Sequence, residues 1–506
     1  MIPLTLGEVA AATGGRLTGS ADPAAVVDAV ATDSRAAGPG VLFVAIAGER
    51  VDGHDFALPA VGAGAVAVLA TREVGVPAVV VPGDVLDALA DLARESLDRR
   101  RALSAAPPLD VVAVTGSSGK TSTKDLLAAV LSTAGPTVAP PGSFNNELGV
   151  PLTALEVGEG TRALVVEMGA RGVGHIAALC RTTGPRVGAV LNVGSAHLGE
   201  FGGVEQIAQA KGELVEALPA AADGGVAVLN ADDERVAAMA SRTRAAVLRF
   251  GLGPDADVRA QDVVLDDRGR AAFTLVAPDG RAPVRLQLHG EHHVLNALAT
   301  AGVAHACGLA VADVAAALGA ATPMSRWRME VTERPDGVTV VNDAYNANPE
   351  SVRAALRALV AMAPGSRSAS GQGRTWAVLG EMLELGEAST AEHDALGRLA
   401  VRLDVSRVVA VGDGARPVYT GALLEGSWGE EATWVPDADA AQALLDEQLR
   451  PGDVVLVKSS HSAGLRHLGD RLAATATGVP QDGAARAGAG PDAQDARAVL
   501  ERGDRA

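Results

Sequence analysis

The segment that most limits how this chain can fold is residues 111–131, VVAVTGSSGKTSTKDLLAAVL. It begins with an apolar, β-branched run, continues through a turn of glycine and serine, and ends in an amphipathic stretch with helical periodicity. A buried strand that enters a helix through such a turn is the repeating unit of a parallel α/β sheet. Gly116 and Gly119 let the backbone approach phosphate oxygens, and the N–H groups of the first helical turn attract anions. The segment therefore predicts an α/β domain that binds nucleotide phosphates.

Two side chains of this turn have chemistry that suits a nucleotide. Lys120 is placed to reach the β- and γ-phosphates, and the hydroxyl of Thr121 to ligate Mg²⁺. Val114 stands where the common phosphate-loop pattern has its first glycine, so an ordinary strand, turn and helix is the alternative. The strand–loop–helix context favours the phosphate site. We expect nucleotide contacts from Gly116, Ser117, Ser118, Gly119, Lys120, Thr121 and Ser122.

The chain of 506 residues is long enough for about three domains of ordinary size. Pro107 and Pro108 follow a long amphipathic pattern and mark a boundary, because proline disfavours helix in the residue before it. The predicted fold is α/β: a small N-terminal domain, a central doubly wound domain with the phosphate loop, and a C-terminal Rossmann-like domain. The expected ranges are 1–107, 108–324 and 325–478, followed by a disordered tail at 479–506.

Two segments depart from the alternation of strands and helices. Residues 255–290 carry DDRG and PDG turns between apolar runs, a pattern that predicts β-hairpins. Residues 366–374, SRSASGQGR, are small and polar, which predicts a mobile loop.

Composition limits the class of function. Aromatic residues make up 2% of the chain and the formal net charge is −18, and both values argue against nucleic-acid binding. Cys180 and Cys307 are too few for a disulfide framework or a zinc site. The N-terminus lacks the basic and apolar regions of a signal peptide, and no apolar run is long enough to cross a bilayer. We therefore expect a cytoplasmic protein that does not insert into membranes. A monomer is also expected, although composition does not bear on the oligomeric state.

Lysine is rare in this chain, which has 43 basic residues but lysine only at 120, 124, 211 and 458. Where arginine serves as the general cation, a retained lysine is a candidate for a role that a guanidinium cannot fill. Lys211 lies on a predicted amphipathic helix, IAQAKGELVEAL, and the alternative is a solvated surface lysine. An ammonium group would be repelled by Mg²⁺, whereas a carbamate formed with CO₂ would offer hard oxygen ligands to the metal.

Two further candidates follow predicted strands. Glu167 ends the strand ALVVEMG at the carboxyl edge of the sheet, where ligands bind, and a carboxylate suits Mg²⁺. His197 follows the next strand, in GAVLNVGSAHLGEF. Taken singly, an acidic residue at a strand end or a lone histidine also has an ordinary structural explanation.

The order of the motifs along the chain is more informative than any single motif. TGSSGKTST, FNNELGVPLTAL, VVEMGARGVG, NVGSAHLGEFGG with AKGE, and VLNADD resemble the Mur ligase family over nearly the whole chain. The resemblance implies a UDP-sugar domain, a central ATPase and a Rossmann-like domain, with ATP and two Mg²⁺ ions as cofactors and a CO₂-derived carbamate on Lys211. It implies catalytic roles for Lys120, Glu167, His197 and Lys211, metal ligation by Thr121, Glu167, His197 and Lys211, and nucleotide contacts from Asn296, Arg326 and Asp343.

Within the family, the segments VVNDAYNANPESV (340–352) and AVLGEMLELGEAS with His393 are similar to the branch that adds D-alanyl-D-alanine to a UDP-muramyl-tripeptide. The stretch ATDSRAAGPGVLFVAIAGERVDGHDF is similar to the UDP-muramyl-peptide domains of this branch and of the branch that adds a diamino acid. The D-N-P-[RA] signature of that second branch is absent. The resemblance implies an acyl-phosphate mechanism and substrate contacts from Ser34, Arg35, Asn145, Asn146, Tyr345, Asn346, Asn348 and Lys458.

Other interpretations remain open at this stage. NDAYNANP also suits a helix start with Asn348 as the cap, and Ser34 and Arg35 suit a surface turn. His293 and His461 depart from the family pattern, and Arg466 is the candidate substitute for an arginine expected near position 461. A folate polyglutamate ligase, and a nucleotide-dependent switch that does not catalyse, are the alternative functions.

Overall fold

The computed structural model describes residues 1–48, 51–194, 203–363, 373–426 and 431–474. His197, residues 366–372 of the expected loop and the expected tail at 479–506 lie outside the described residues. Three large sheets and one two-stranded ladder make up the described part of the chain, and helices connect most of the strands. The predicted α/β class is confirmed. Within the described residues, no helix is long and apolar enough to span a membrane.

The first sheet is small and lies within residues 16–80. The strands of this region are β1 (Leu4–Thr5), β2 (Arg16–Thr18), β3 (Val26–Val27), β4 (Ala29–Ala31), β5 (Val41–Val44), β6 (Ala67–Ala70) and β7 (Ala78–Val80), and the helices are α1 (Leu6–Ala12), α2 (Ala57–Gly62) and α3 (Val85–Ala102). The order is β2-β7-β6-β5-β4, parallel from β4 to β7, with β2 antiparallel at the edge. Strands β5 and β6 are buried at every position, which explains their continuous apolar sequences VLFV and AVLA.

The central sheet carries the phosphate loop and has nine strands within the described part of the chain. Its strands are β8 (Asp110–Thr115), β9 (Thr137–Val138), β10 (Ala163–Glu167), β11 (Val187–Val190), β12 (Val226–Asn230), β13 (Ala246–Gly251), β14 (Val258–Leu265), β15 (Arg270–Ala277) and β16 (Gly280–His289). The described helices of this region are α4 (Lys120–Leu131), α5 (Gly149–Leu155), α6 (His175–Thr183), α7 (Val204–Glu216), α8 (Glu234–Ala238), α9 (His293–Ala306) and α10 (Val311–Ala320). The order is β16-β15-β14-β13-β12-β11-β8-β10-β9.

The register of this sheet brings the candidate residues to one edge. Strand β8 lies between β10 and β11 and is parallel to both, and Glu167 pairs with Val114 while Val190 pairs with Thr115. The carboxyl ends of the three strands are therefore level, and the segments that follow them meet at the edge where α/β sheets bind ligands. The antiparallel pairs β14–β15 and β15–β16 confirm the hairpins predicted for residues 255–290.

The third sheet is also mostly parallel. Its strands are β17 (Glu330–Glu333), β18 (Thr339–Asn342), β19 (Thr375–Leu379), β20 (Arg407–Val411), β21 (Ala432–Val435) and β22 (Val454–Lys458), and its helices are α11 (Pro349–Ala361), α12 (Ser389–Arg402), α13 (Arg416–Glu425), α14 (Ala438–Gln448) and α15 (Leu465–Ala474). The order is β17-β18-β22-β19-β20-β21; among the described strands the edge pair β17–β18 is antiparallel and the other pairs are parallel. Asp343 directly follows β18, and Lys458 is the last residue of β22. Because these two strands are adjacent and parallel, both residues lie at the same edge of the sheet.

Alanine, valine and leucine fill the cores on both faces of each sheet. One core is continuous from the first sheet to one face of the central sheet, because α3 packs against α5 and α6. The buried Arg100 of α3 strengthens this attachment, since it donates to the carbonyl oxygens of Pro107 and Thr161 at 2.7 Å and of Gly158 at 3.1 Å. The chain therefore attaches the first sheet to the central one through both apolar packing and buried hydrogen bonds.

Candidate functional site

The phosphate loop connects β8 to α4, and the predicted strand, turn and helix are confirmed. Gly119, just before the helix, has a φ of 81°, a left-handed conformation that side chains disfavour. A Cβ at this position would also lie 2.6 Å from Oδ1 of Asn296, which projects from α9. The structure therefore brings Asn296, predicted to contact the nucleotide, against the loop itself.

The N-terminal end of α4 has the properties of an anion site. Thr121 is buried, and the backbone N–H groups of Thr121 and Ser122 have no acceptor within the described residues. Such N–H groups and the helix dipole together favour bound phosphate. Lys120 Nζ donates to the carbonyl oxygen of Gly116 at 2.6 Å, which holds the ammonium group over the loop. Cation and N–H donors thus lie together, as phosphate binding requires.

Glu167 ends β10 beside this loop and is 1% exposed. Its Oε1 accepts from Asn145 Nδ2 at 2.8 Å and from Ser143 Oγ at 3.1 Å. Its Oε2 is buried and has no hydrogen-bond partner within the described residues. A buried carboxylate oxygen without a partner is unfavourable, and a divalent cation with oxygen ligands would satisfy it. The donor set therefore fits Mg²⁺ at this position.

Lys211 projects from α7 and is buried, contrary to the surface alternative. Burial lowers the pKa of its ammonium group well below the ordinary value, and the positive charge of Lys120 lowers it further. Burial therefore favours the neutral amine of Lys211, which is the form that can react with CO₂.

A second group of candidates lies at the edge of the third sheet. Lys458, buried at the end of β22, donates to Asp343 Oδ2 at 2.6 Å and to the carbonyl oxygen of Asn346 at 3.0 Å. Asp343 Oδ1 accepts from the N–H of Met329 at 3.0 Å. Burial lowers the pKa of Lys458, while Asp343 opposes that effect. The pair fixes the segment that contains Tyr345, Asn346 and Asn348.

Tyr345 lies between two groups that can bind anions or stack. The guanidinium of Arg328 is 4.2 Å from the ring centroid, and the ring of His461 meets it edge-on at 5.3 Å. Arg328 Nε is buried without a hydrogen-bond partner within the described residues. Sequence reasoning missed Arg328, because only tertiary packing distinguishes it from its neighbour Arg326.

Arg326 has different surroundings. Its side chain is 60% exposed and pairs with Asp470 at 2.9 Å, so its contact with a nucleotide remains a prediction. Arg466 donates to the carbonyl oxygen of His461 at 2.6 Å, and its guanidinium lies 5.6 Å from the Trp327 ring.

Asn348 has both a structural and a bridging role. Its Oδ1 accepts from the N–H of Ser351 at 2.8 Å and Pro349 follows it, which confirms the helix cap that the sequence suggests. Its Nδ2 also donates to the carbonyl oxygen of Ser117 at 3.4 Å. The start of α11 therefore contacts the phosphate loop from another sheet.

The remaining candidates lie apart or act locally. Ser34 and Arg35 form a surface turn in which the carboxylate of Asp33 accepts from the N–H of Arg35 at 2.9 Å and from its guanidinium. Asn146 Oδ1 accepts from the N–H of Gly149 at 2.9 Å and so orders the start of α5. A substrate contact from any of the three remains a prediction.

Two adjacent histidines lie beside Asn296: His292 is the N-cap residue of α9, and His293 is its first residue. The His292 and His293 ring centroids are 4.2 Å apart, and His293 Nδ1 lies 3.3 Å from Asn296 Nδ2. Burial lowers the pKa of His292 to about 4 and that of His293 well below its usual value. Both rings are therefore neutral near pH 7 and can position Asn296 without adding charge.

Three family models match the chain: the Mur ligase family catalytic domain at residues 26–104, the Mur ligase middle domain at 114–304, and the Mur ligase glutamate ligase domain at 327–461. The UDP-N-acetylmuramoyl-tripeptide--D-alanyl-D-alanine ligase of Mycobacterium tuberculosis is 52% identical over 94% of this chain and 99% of its own length. Crystal structure I of MurF from Acinetobacter baumannii aligns with a TM-score of 0.81 and 31% identity, over 93% of this chain and 99% of that one. The MurF ligase from Thermotoga maritima, in complex with ADP, aligns with a TM-score of 0.75 and 30% identity, over 88% and 97%.

Proposed function

Because the chain belongs to the Mur ligase family, we propose that it is an ATP-dependent ligase that adds D-alanyl-D-alanine to UDP-N-acetylmuramoyl-tripeptide. One structural observation carries the proposal: the DAYNANP segment lies directly on the phosphate loop, where Asn348 Nδ2 reaches the carbonyl oxygen of Ser117 at 3.4 Å. A ligase must hold its second substrate beside the phosphate that activates the first one. This contact joins two segments from different sheets, which supports the proposal that both contribute to one reaction centre.

The proposed reaction has two steps. The terminal carboxylate of the tripeptide attacks the γ-phosphorus of ATP, and ADP leaves as the acyl phosphate forms. The amine of D-alanyl-D-alanine then attacks the acyl carbon, loses a proton and expels phosphate as the amide forms. Lys120 and the N–H groups at the start of α4 hold the phosphates in line and offset their negative charge.

Mg²⁺ would offset phosphate charge during transfer, and Thr121 and Glu167 would hold one ion. The unpartnered Oε2 of Glu167 supports that assignment. His197 and a carbamate on Lys211 would hold a second ion, although His197 lies outside the described residues. Asn296, Asp343 and Arg326 are the proposed nucleotide contacts. Arg328, whose guanidinium lies over the Tyr345 ring, is a further candidate for the substrate site.

The proposed substrate contacts fall into two groups. Ser34 and Arg35 would bind the UDP-muramyl-peptide from the region 1–107. Asn145, Asn146, Tyr345, Asn346, Asn348 and Lys458 would line the peptide and dipeptide sites. We also propose that the enzyme acts in the cytoplasm as a monomer, and light scattering of the purified chain tests the oligomeric state.

The direct test is phosphate release from ATP with UDP-N-acetylmuramoyl-tripeptide and D-alanyl-D-alanine, each omitted in turn, and mass spectrometry of the product. We expect release only with both substrates, together with the pentapeptide nucleotide. Release that neither substrate stimulates would refute the proposal. Stimulation by a pterin glutamate instead would favour the folate ligase alternative.

Carbamylation of Lys211 has its own test. Incubation with ¹³C-bicarbonate should give a carbamate NMR signal in the native chain and none in Lys211→Ala. Lys124→Met is the matched control, because Lys124 is also buried but bonds the carbonyl oxygen of Pro140 at 2.8 Å. We expect Lys211→Ala to lose most activity and to regain part of it with short carboxylic acids, which replace the anion. Full activity without added acid would contradict the assignment.

A further inference from the structure

We propose that Asn192 is a positioning residue of the nucleotide site, whose side-chain amide sets the conformation of the phosphate loop. The proposal rests on the nucleotide use proposed above and adds a residue that the sequence did not single out. It also divides the loop into two parts: Ser117 and Ser118 are held by the protein, and the residues around Lys120 and Thr121 bind phosphate.

The contacts of Asn192 are concentrated on two consecutive loop residues. Its Oδ1 accepts from the backbone N–H groups of Ser117 and Ser118, both at 2.9 Å. Its Nδ2 donates to the carbonyl oxygen of Ser118 at 3.2 Å. Only an amide supplies an acceptor and a donor in this arrangement, because a carboxylate lacks the donor and an aliphatic side chain lacks both.

These bonds, together with the backbone carbonyl oxygen of Asn192, which also accepts from the N–H of Ser117 at 3.1 Å, decide which N–H groups of the loop remain for phosphate. The N–H groups of Ser117 and Ser118 already have acceptors, whereas those of Thr121 and Ser122 have none within the described residues. The phosphates must therefore be bound mainly from the helix end of the loop. Asn192 would then act by keeping the loop in the conformation that aims this end at the nucleotide.

Asn192 is itself held in place by a motif without an assigned function. Asn230 Nδ2 donates to the carbonyl oxygen of Leu191 at 2.8 Å, and Asp233 Oδ2 accepts from the N–H of Val193 at 2.8 Å. Both residues belong to VLNADD at the end of the adjacent strand β12. The residues on either side of Asn192 are thus fixed from β12, which explains what this motif contributes to the site.

The loop is also held through a second contact with the same segment. Ser117 Oγ accepts from the N–H of Gly194 at 2.9 Å. Since Ser117 additionally contacts Asn348 through its carbonyl oxygen, the segment 191–194 stabilises the part of the loop on which α11 rests. A change at Asn192 should therefore weaken nucleotide binding before it weakens binding of the UDP-sugar.

The test compares Asn192→Ala and Asn192→Asp with the unmodified chain, using calorimetric titration with ADP and Mg²⁺ and, separately, with UDP-N-acetylmuramoyl-tripeptide. Thr183→Ala is the control, because it removes a buried hydroxyl that bonds the carbonyl oxygen of Leu179 within α6, outside the loop. For Asn192→Ala we expect Kd for ADP and KM for ATP to rise about tenfold to a hundredfold, from the loss of up to three hydrogen bonds. In Asn192→Ala the Kd for the UDP-tripeptide should change less than about twofold. In Thr183→Ala the Kd for ADP and the KM for ATP should also change less than about twofold.

Asn192→Asp provides a readout that a purely structural role would not move. The carboxylate keeps the shape and the acceptor but faces the carbonyl oxygen of Ser118, so we expect weaker ADP binding at pH 8. The N–H groups of Ser117 and Ser118 stabilise the ionised carboxylate, so the charge and the weaker ADP binding should both persist from pH 8 to pH 5.5, while the Kd for the UDP-tripeptide changes less than about twofold. This variant decides the question if Asn192→Ala does not fold.

Three outcomes would overturn the inference. They are a Kd for ADP within about twofold of the unmodified chain in Asn192→Ala, an equal loss of affinity for the UDP-tripeptide, and an unchanged Kd for ADP in Asn192→Asp. If the unmodified chain itself does not bind ADP, the nucleotide assignment fails and this inference fails with it. The two failures are therefore distinguishable.

Discussion

Replacement of Lys458 by methionine should destabilise the C-terminal domain strongly. The ammonium group is buried and bonds Asp343 Oδ2 at 2.6 Å and two backbone carbonyl oxygens, those of Asn346 at 3.0 Å and Asp343 at 3.3 Å. Methionine has a similar length, so little volume is lost but three acceptors lose their donor. Removing one partner of a buried ion pair typically lowers the free energy of unfolding by about 3–5 kcal/mol. We expect a loss of that size here.

The assay can be restricted to this domain, because all four tryptophans of the chain, at 327, 376, 428 and 434, lie in the C-terminal part. Urea unfolding followed by tryptophan fluorescence therefore reports mainly on the third sheet, in which Trp376 is 1% exposed. With an m-value of about 2 kcal/mol/M, the expected loss lowers the urea midpoint by about 1.5–2.5 M. Asp343→Asn in the same background should recover part of the loss, because it removes the unpaired charge.

The matched control is Arg402→Met. This residue also pairs with a carboxylate, Glu425, at 2.8 Å, but its side chain is 62% exposed. Exposed pairs contribute about 0–1 kcal/mol, so the midpoint should move by less than about 0.5 M. An equally small shift for Lys458→Met would refute the argument that burial of the pair makes it important.

Three further predictions concern other parts of the molecule. Gly119→Ala should raise the Kd for ADP about fivefold to thirtyfold, because alanine in a left-handed conformation is disfavoured by about 1–2 kcal/mol. Its Cβ would also lie 2.6 Å from Asn296 Oδ1. Calorimetric titration with ADP, with Gly158→Ala as the control, tests this prediction. His292 has a folded pKa of about 4, so between pH 6.5 and 4 the unfolded chain binds a proton that the folded chain does not. As the pH is lowered through this window, the free energy of unfolding should therefore decrease by at most about 3 kcal/mol. Urea midpoints measured over the same pH range should decrease less in His292→Gln than in the unmodified chain. Burial raises the thiol pKa of the buried Cys180 and of the partly buried Cys307 to about 12, so both should react with iodoacetamide at pH 8 far more slowly in the folded than in the urea-unfolded chain, and equal rates would contradict these raised pKa values.

Local patterns in the sequence predicted much of the fold. The strand, turn and helix around Lys120, the hairpins in 255–290 and the cap at Asn348 were each predictable within a window of a few residues. Periodicity, glycine and proline placement and capping chemistry act between neighbours in the chain, so a single sequence contains them. The burial of Lys211 agrees with the argument from lysine scarcity, whereas its carbamylation stays a prediction.

The tertiary structure decided which side chains face one another. Asn192 and Ser117 are 75 residues apart, and Lys458 and Asp343 are 115 apart, so no periodicity links them. The choice between Arg326 and Arg328 likewise depends on which of them packs on Tyr345, and the unpartnered oxygen of Glu167 depends on how Asn145 and Ser143 surround it. The sequence alone therefore determined the elements and the chemistry they carry. Sheet order and register determined the pairing, because hydrogen bonds and burial depend on distances that only the folded chain defines.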